Sequence, residues 1–308
     1  MVGKMAKNRF WITMACGILL GLAGCTERID IKLSSSDPLL VVDARFTSDT
    51  TAHIVKLSRT CDYFDPETGH IGVTGAEVYI TDAHGKRIDF LPSDSVPGWY
   101  LSAPDVFGIM GETYRLHVRA DLQGGGSPRY YEAQATMPYM PPLDSAKAFY
   151  GYPLPPFGYG TALGWNLLLY AQDPPTKEYI GFSYAVNGKV YEDSIDNIFL
   201  FPDSFSSGLY LRGVSLFFFP DSTQDNQDQI KVVLHEGDIL TLIGYSFTPE
   251  YADYINQVRT ALSTNVPVFS AAPANIQGNI SNDALGYFAV YSMGKASCTV
   301  GRKPETMQ

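Results

Sequence analysis

The chain has 308 residues, of which 32 are acidic and 22 basic, so its formal net charge at pH 7 is −10. This charge disfavours nucleic-acid binding, which needs a basic surface, and it also repels anionic lipid headgroups. Only 18% of the residues are charged, whereas 20 Tyr and 17 Phe supply ample apolar material for a core, and this composition favours a β-rich extracellular protein.

The first 24 residues form a predicted lipoprotein signal peptide. Basic residues at positions 4, 7 and 9 precede an apolar stretch over residues 10–20, which is shorter than the roughly 20 residues of a membrane span. The stretch ends in the lipobox Leu22, Ala23, Gly24 and Cys25. The small residues suit the signal peptidase, and the thiol of Cys25 accepts a diacylglycerol. We therefore predict attachment to the membrane through lipid on Cys25, diacylglycerol and palmitate, with an ordinary transmembrane anchor as the alternative.

Four regions follow along the chain: the signal peptide over residues 1–24, a polar tether over 25–38, a first domain over 39–140 and a second over 141–308. Cleavage leaves 284 residues and removes three basic ones, so the formal charge moves from −10 to −13. This length exceeds the about 100–200 residues of one domain, which is why two are expected. Glu27 and Asp30, close behind Cys25, resemble an export signal to the outer face of the outer membrane.

The first domain alternates apolar and polar residues with a period of two, which is typical of β-strands. Val42, Ala44 and Phe46 are predicted to share one buried face of the first strand. The predicted strands cover residues 39–46, 54–58, 76–81, 86–91, 99–101, 114–119 and 131–137. Seven short strands separated by turns at intervals of about 8–12 residues predict an antiparallel β-sandwich of immunoglobulin or transthyretin type.

The second domain is predicted to be β-rich with one short α-helix. Its strands are expected over residues 166–171, 179–186, 190–191, 209–219, 230–234, 238–246 and 285–291, and the run 217–219 of three Phe is expected to be a buried strand. The helix begins with Thr248 as its cap and Pro249 in its first position. Its predicted apolar face contains Tyr251, Tyr254, Ile255, Val258 and Leu262.

Residues 149–160 combine proline, glycine and aromatic residues, a composition that cannot hold a regular strand ladder. The sequence predicts a loop that carries aromatic side chains for ligand or partner contact. The candidate residues are Tyr150, Tyr152, Phe157 and Tyr159, extended by Trp165. Such side chains can stack on sugar rings, hold a peptide or contact a partner barrel. Packing between the two domains is the alternative.

No catalytic residue, metal site or cofactor is predicted, because the sequence lacks GxSxG, HExxH, SxxK and a phosphate-binding glycine loop. His235 and Glu236 lack the second histidine of a zinc protease, and Gly237 would interrupt the helix, so a turn is expected there. Asp221, Asp225 and Asp228 do not match the spacing of an EF-hand, and a solvated acidic loop is expected rather than a calcium site.

Cys61 and Cys298 are the two cysteines left after removal of Cys16 and acylation of Cys25. They lie far apart in the sequence and are expected in different domains. A disulfide requires Cα atoms within about 7 Å. Two thiols are therefore expected, with a disulfide as the alternative.

Several short runs along the whole chain resemble those of the domain-of-unknown-function 4249 family of bacterial outer-membrane lipoproteins. The matching runs follow Cys25 and cover residues 29–31, 40–42, 55–60, 63–65, 75–78, 97–100, 111–114, 141–145, 275–276 and 286–288. Two features depart from the family pattern: Asp43-Ala44 stands where an acidic residue and glycine are expected, and Cys61 is atypical.

The resemblance implies a surface lipoprotein encoded beside a TonB-dependent outer-membrane transporter, with an immunoglobulin-like N-terminal sandwich and no known catalytic residues. We therefore expect a lipid-anchored protein of the outer membrane that faces the cell exterior. Its expected role is that of a non-enzymatic binding accessory to a TonB-dependent nutrient transporter. Two alternatives stay open: a surface hydrolase of glycans or peptides, and a structural or adhesive surface module.

Overall fold

β-strands dominate the computed structural model, which describes residues 37–61, 71–123, 125–155, 161–173, 179–191, 198–201, 208–221, 232–263 and 276–305. The lipobox residues Leu22, Ala23, Gly24 and Cys25 lie outside these ranges, as do Phe157 and Tyr159. Within them, none of the helical structure has both the length and the apolar character that a membrane crossing requires.

The N-terminal half contains strands β1–β8 in a sandwich-like arrangement, which confirms the predicted fold class. Their bounds are β1 Leu40–Thr47, β2 Ile54–Arg59, β3 Ile71–Gly72, β4 Glu77–Thr81, β5 Arg87–Pro92, β6 Trp99–Leu101, β7 Thr113–Ala120 and β8 Arg129–Thr136. One layer of the sandwich contains β1, β2 and β6, and the other contains β4, β7 and β8. Strand β5 pairs with β6 of the first and with β4 of the second, so it joins the two layers. Val42, Ala44 and Phe46 are fully buried in the core between them, as their alternation predicts.

The C-terminal half contains strands β9–β16 and helix α1. Their bounds are β9 Ser145–Gly151, β10 Gly164–Gln172, β11 Tyr179–Val186, β12 Lys189–Val190, β13 Phe199–Phe201, β14 Tyr210–Pro220, β15 Ile239–Phe247, α1 Pro249–Ser263 and β16 Leu285–Thr299. The prediction of a strand over residues 230–234 is wrong for residues 232–234, the part of this range that the structure describes, because they form no strand. Leu234 is nevertheless buried in the second hydrophobic cluster, so this apolar segment packs without joining a ladder.

One continuous sheet runs through both halves. Its described strands follow the order β12-β11-β15-β16-β1-β2-β6-β5-β4-β7-β8, with β13 paired to β11 and β3 to β2. Strand β16 pairs with β1 in parallel, from Val41 opposite Leu285 to Thr47 opposite Tyr291. The described pairs within β1–β8 are antiparallel, as predicted for the sandwich, whereas the parallel pair with β16 was not predicted. A separate sheet has the order β14-β10-β9.

Strand β16 supplies side chains to three hydrophobic clusters. Phe288 belongs to the cluster of the N-terminal half, Ala296 packs against that of the C-terminal half, and Tyr287 and Tyr291 belong to a third under α1. The described residues from Pro38 onward form one compact unit. The division into domains at residues 140 and 141 stays a prediction, and the shared strand links the two regions.

Helix α1 starts as the sequence predicts. The backbone N–H of Tyr251 donates to Thr248 Oγ1 at 3.3 Å, which satisfies one free donor of the first turn. Tyr251 and Ile255 are buried against the third cluster, whereas Leu262 is 54% exposed although it was predicted on the apolar face. The helix is therefore buried over its first two turns, and its residues beyond them are half-buried or exposed.

Candidate functional site

A groove of about 510 Å³ lies between β8, α1 and the segment that precedes β16. We call it the polar groove. Its lining residues are Gln134, Ala135 and Thr136 of β8, Thr248, Glu250, Asp253 and Gln257 at α1, Gln277, Gly278 and Asn279 of the preceding segment, and Tyr287 of β16. The volume lies within the 300–1,000 Å³ typical of small-ligand sites.

The segment that carries Gln277–Asn279 is fixed by side-chain and backbone contacts. Asn279 Nδ2 donates to the carbonyl of Phe288 at 2.9 Å, and its Oδ1 accepts from the N–H of Phe288 at 2.8 Å. The N–H of Gln277 donates to Gln257 Oε1 at 3.1 Å, which links the segment to the helix. These bonds hold one wall of the polar groove in place before any ligand arrives.

The edge of β8 forms the opposite wall. The N–H of Ser281 donates to the carbonyl of Glu132 at 2.8 Å, the N–H of Glu132 donates to Ser281 Oγ at 2.8 Å, and Asn282 Nδ2 donates to the carbonyl of Tyr130 at 2.6 Å. This turn covers the first part of the edge and protects it from other strands. The polar groove begins where the cover ends, at Gln134.

The lining side chains of the polar groove suit hydrogen bonding. They offer amides, hydroxyls, the phenol of Tyr287 and two carboxylates, Glu250 and Asp253, both of which are exposed, and they include no Lys, Arg or His. Burial, the largest effect, raises the pKa of Tyr287 to about 12, so its hydroxyl stays a hydrogen-bond donor at physiological pH. The groove therefore favours neutral or cationic ligands and repels anions.

A smaller cavity of about 240 Å³ lies on the outward face of β1. Asp43 there pairs with Arg45 at 3.3 Å and with Lys56 at 3.5 Å, and Lys56 lies over the ring of Trp99, 4.9 Å from its centroid. Burial acts to lower the pKa of Arg45, but Asp43 and the phenols of Tyr251 and Tyr291 outweigh it, so the pKa is raised. Asp49, which also lines this cavity, pairs with Lys295 at 2.6 Å, so its carboxylates are already engaged in ion pairs. The polar groove is therefore the stronger candidate site.

The predicted aromatic contact residues do not form one exposed loop. Tyr150 lies in β9 and Trp165 in β10, where they are opposite each other with ring centroids 5.2 Å apart and are only 7% and 5% exposed. Tyr152 is 57% exposed and can serve a contact role. The loop predicted from residue 149 is therefore wrong at its start, because the first proline, Pro153, comes after the strand has ended.

Tyr150 has a structural role in this region. Its hydroxyl donates to Asp221 Oδ2 at 2.5 Å, and Asp221 Oδ1 pairs with Lys303 Nζ at 2.7 Å. Burial first, and the Asp221 carboxylate second, raise the pKa of Tyr150 to about 12. Asp225 and Asp228, the other members of the predicted acidic loop, lie outside the described residues. Asp221 thus bonds both Tyr150 and Lys303 and has a structural role.

The remaining sequence motifs are a His-Glu pair, a run of three Phe and two cysteines. The N–H of His235 donates to Asp238 Oδ2 at 2.7 Å, in a turn before β15, which confirms the predicted turn. Phe217 and Phe219 are buried in β14, as predicted. Cys61 and Cys298 are both free thiols, and burial raises the pKa of Cys298. The described residues contain no group of three His, Cys, Asp or Glu side chains arranged to hold a metal ion.

The fold and the polar groove define a class: a mainly β protein, sandwich-like in its N-terminal half, with a hydrogen-bonding groove beside a strand edge. Residues 26–297 match the family model described as a domain of unknown function, DUF4249, and the chain belongs to this family. The family resemblance drawn from the short sequence runs is thereby confirmed. A search of curated proteins finds no match to the chain.

Sequence reasoning missed the polar groove because its walls come from segments that are distant in the chain. Gln134 and Thr136 are 114 and 112 residues away from Thr248, and alternation marks them only as solvent-facing positions of a strand. One signal was present: residues 275–276 and 286–288 were among the runs that resemble the family, and they flank Gln277–Asn279.

Proposed function

We propose that this chain is a lipid-anchored lipoprotein of the outer membrane that faces the cell exterior and serves as a non-enzymatic binding accessory to a TonB-dependent nutrient transporter. The observation that carries this proposal is the polar groove, which has the volume and the hydrogen-bonding side chains of a ligand site. A pre-formed groove of this kind suits capture of a ligand that is then released to a transporter.

The placement of the acidic residues favours binding over hydrolysis. A glycosidase needs two carboxyl groups on opposite sides of the bond it cleaves, about 5–9.5 Å apart. Glu250 and Asp253 lie one turn apart on the same helix, so they belong to one wall of the polar groove. A glycan bound against this wall would meet both carboxylates from the same side.

The sequence features of the N-terminus support the location. The predicted lipobox at Leu22–Cys25 would supply an acylation site directly before the region that matches the family, which begins at residue 26. The tether of about a dozen residues reaches roughly 40 Å when extended, far enough for the folded body to stand beside a membrane protein. The acidic body itself has no affinity for anionic headgroups, so the lipid would carry the attachment.

Replacement of Cys25 tests the anchor. We expect Cys25→Ala to abolish acylation, so that the protein either leaves the membrane fraction or accumulates as the uncleaved precursor. Fractionation and mass spectrometry of the N-terminal peptide measure both outcomes, with Cys61→Ala as the matched control that keeps the lipobox. A Cys25→Ala variant that is cleaved and fully membrane-bound would contradict the anchor.

Deletion of the gene tests the accessory role against the adhesive alternative. We expect the deletion strain to take up the transported nutrient more slowly and to attach to surfaces normally. Uptake that is unchanged together with weakened attachment would favour the structural or adhesive module.

A further inference from the structure

The edge of strand β8 lines the polar groove with three consecutive residues, Gln134, Ala135 and Thr136. Successive side chains of a strand point to opposite faces of the sheet. Three consecutive residues can therefore border one cavity only along the edge of the strand. The groove is thus lined by backbone as well as by side chains at this position.

The direction of the backbone groups follows from the neighbouring hydrogen bonds. The N–H of Met137 donates to the carbonyl of Glu112 at 2.9 Å, so the backbone N–H of Met137 points to the β7 side of the strand. Glu132 uses both its N–H and its carbonyl on the opposite side, with Ser281. Because backbone groups alternate between the two sides of a strand, Gln134 and Thr136 direct their N–H and carbonyl groups away from β7 and into the groove.

The outward N–H and carbonyl groups of Gln134 and Thr136 are available to hydrogen-bond a ligand. In the part of the chain that the structure describes, Ser281 and Asn282 bond to Glu132 and Tyr130, and no backbone partner from the protein reaches Gln134 or Thr136 on this side. An added strand would lie about 4.8 Å from β8 and pair through up to four such groups. The Ser281 turn would stop it at one end, so that a segment of about three residues pairs.

We propose that the polar groove binds an extended, basic peptide as an additional strand on β8, paired with Gln134 and Thr136. The carboxylates of Glu250 and Asp253 on the opposite wall supply the preference for basic side chains, because the lining residues include no cation to offset them. The proposal rests on the binding role proposed above and names its ligand class: the nutrient captured is an oligopeptide.

Backbone-methylated peptides test strand addition directly. A fluorescent peptide of alternating Lys and Val is titrated into the full-length protein in detergent, followed by two versions N-methylated on one or the other alternating set of amides. Because one version loses two hydrogen bonds to β8, we expect it to bind about tenfold more weakly, whereas the other should match the parent peptide. A peptide with Glu in place of Lys should also bind more weakly.

A pair of protein variants locates the strand. Gln134→Pro removes the outward N–H, a change that an edge strand tolerates, whereas Gln134→Val keeps the N–H. Both lose the same side-chain bond, in which Arg115 donates to Gln134 Oε1 at 2.9 Å. We expect weakened binding for Gln134→Pro alone, with thermal melting to confirm that both fold. If Gln134→Pro does not fold, the methylated peptides decide the question.

Three results would overturn the proposal: no peptide binding, equal effects of the two methylation patterns, or binding of a neutral oligosaccharide in place of the peptide. None of these results bears on the accessory role, which the recovery of a transporter tests separately. If the transporter co-purifies while peptides do not bind, only the ligand class is wrong. If peptides bind while no transporter is recovered, only the accessory role is wrong.

Discussion

At the scale of the residue, Tyr150 shows how local composition and tertiary context can disagree. Nearby Pro and Gly predicted an exposed loop, whereas the side chain lies in β9, opposite Trp165 and bonded to Asp221. Local composition has no information about the strand that pairs from the other side, and that strand decides whether the ladder forms. Val42, Ala44 and Phe46 were predictable because alternation over a whole strand records which face is buried.

The raised pKa of Tyr150 predicts a loss of stability at alkaline pH. Its folded-state pKa is about 12 and that of the unfolded chain about 10, so the folded state binds more protons between these values. Stability should therefore be complete below pH 10 and decline as the pH rises towards 12. This group contributes part of that decline, reduced by solvent screening because the hydroxyl lies close to the surface.

Urea unfolding at a series of pH values measures the effect. Tyr150→Phe should be less stable than the wild type near pH 8, because the bond to Asp221 is lost, and its stability should fall less steeply above pH 10. Tyr152→Phe is the matched control at an exposed tyrosine and should follow the wild type. Identical slopes for wild type and Tyr150→Phe would refute the assigned role of this hydroxyl.

At the scale of the element, helix α1 was predicted almost completely and the β1–β16 pair not at all. The start of the helix depends on neighbouring residues, Thr248 and Pro249, which the sequence shows directly. The parallel pair joins Val41 to Leu285, residues separated by most of the chain. Periodicity identifies both as strand residues and contains no information on which strand lies beside which.

Gly286 is the residue on which this strand pair depends. It has φ of +94°, a conformation that non-glycine residues adopt only under strain, and a Cβ there would overlap the carbonyl oxygen of Val42. Gly286→Ala should therefore cost about 3 kcal/mol of stability. Gly301→Ala, at a position with open space around the added Cβ, is the matched control and should be nearly neutral.

Denaturant midpoints of these two glycine variants provide the measurement. A Gly286→Ala protein as stable as Gly301→Ala would mean that β16 does not lie against β1 as described. The same variant should also disturb the polar groove, because Gly278, in its wall, lies directly against the carbonyl of Gly286.

At the scale of the whole molecule, family and fold class were predictable and the candidate site was not. Short runs spread over the chain identified the family, since a match needs only the order of the residues. The polar groove requires knowledge of three-dimensional neighbours: β8 from the N-terminal half, α1 and the segment before β16 meet only after folding. Its backbone edge is invisible to any search for side-chain motifs.

Co-purification is the most direct test of the proposal that this protein is a lipid-anchored accessory that works beside a TonB-dependent transporter. A tag at the C-terminus allows the protein to be recovered from membranes under mild detergent and the bound proteins to be identified by mass spectrometry. We predict that a TonB-dependent transporter is recovered with the wild type and is depleted with Cys25→Ala. Recovery of the tagged wild-type protein without any such transporter would contradict the account.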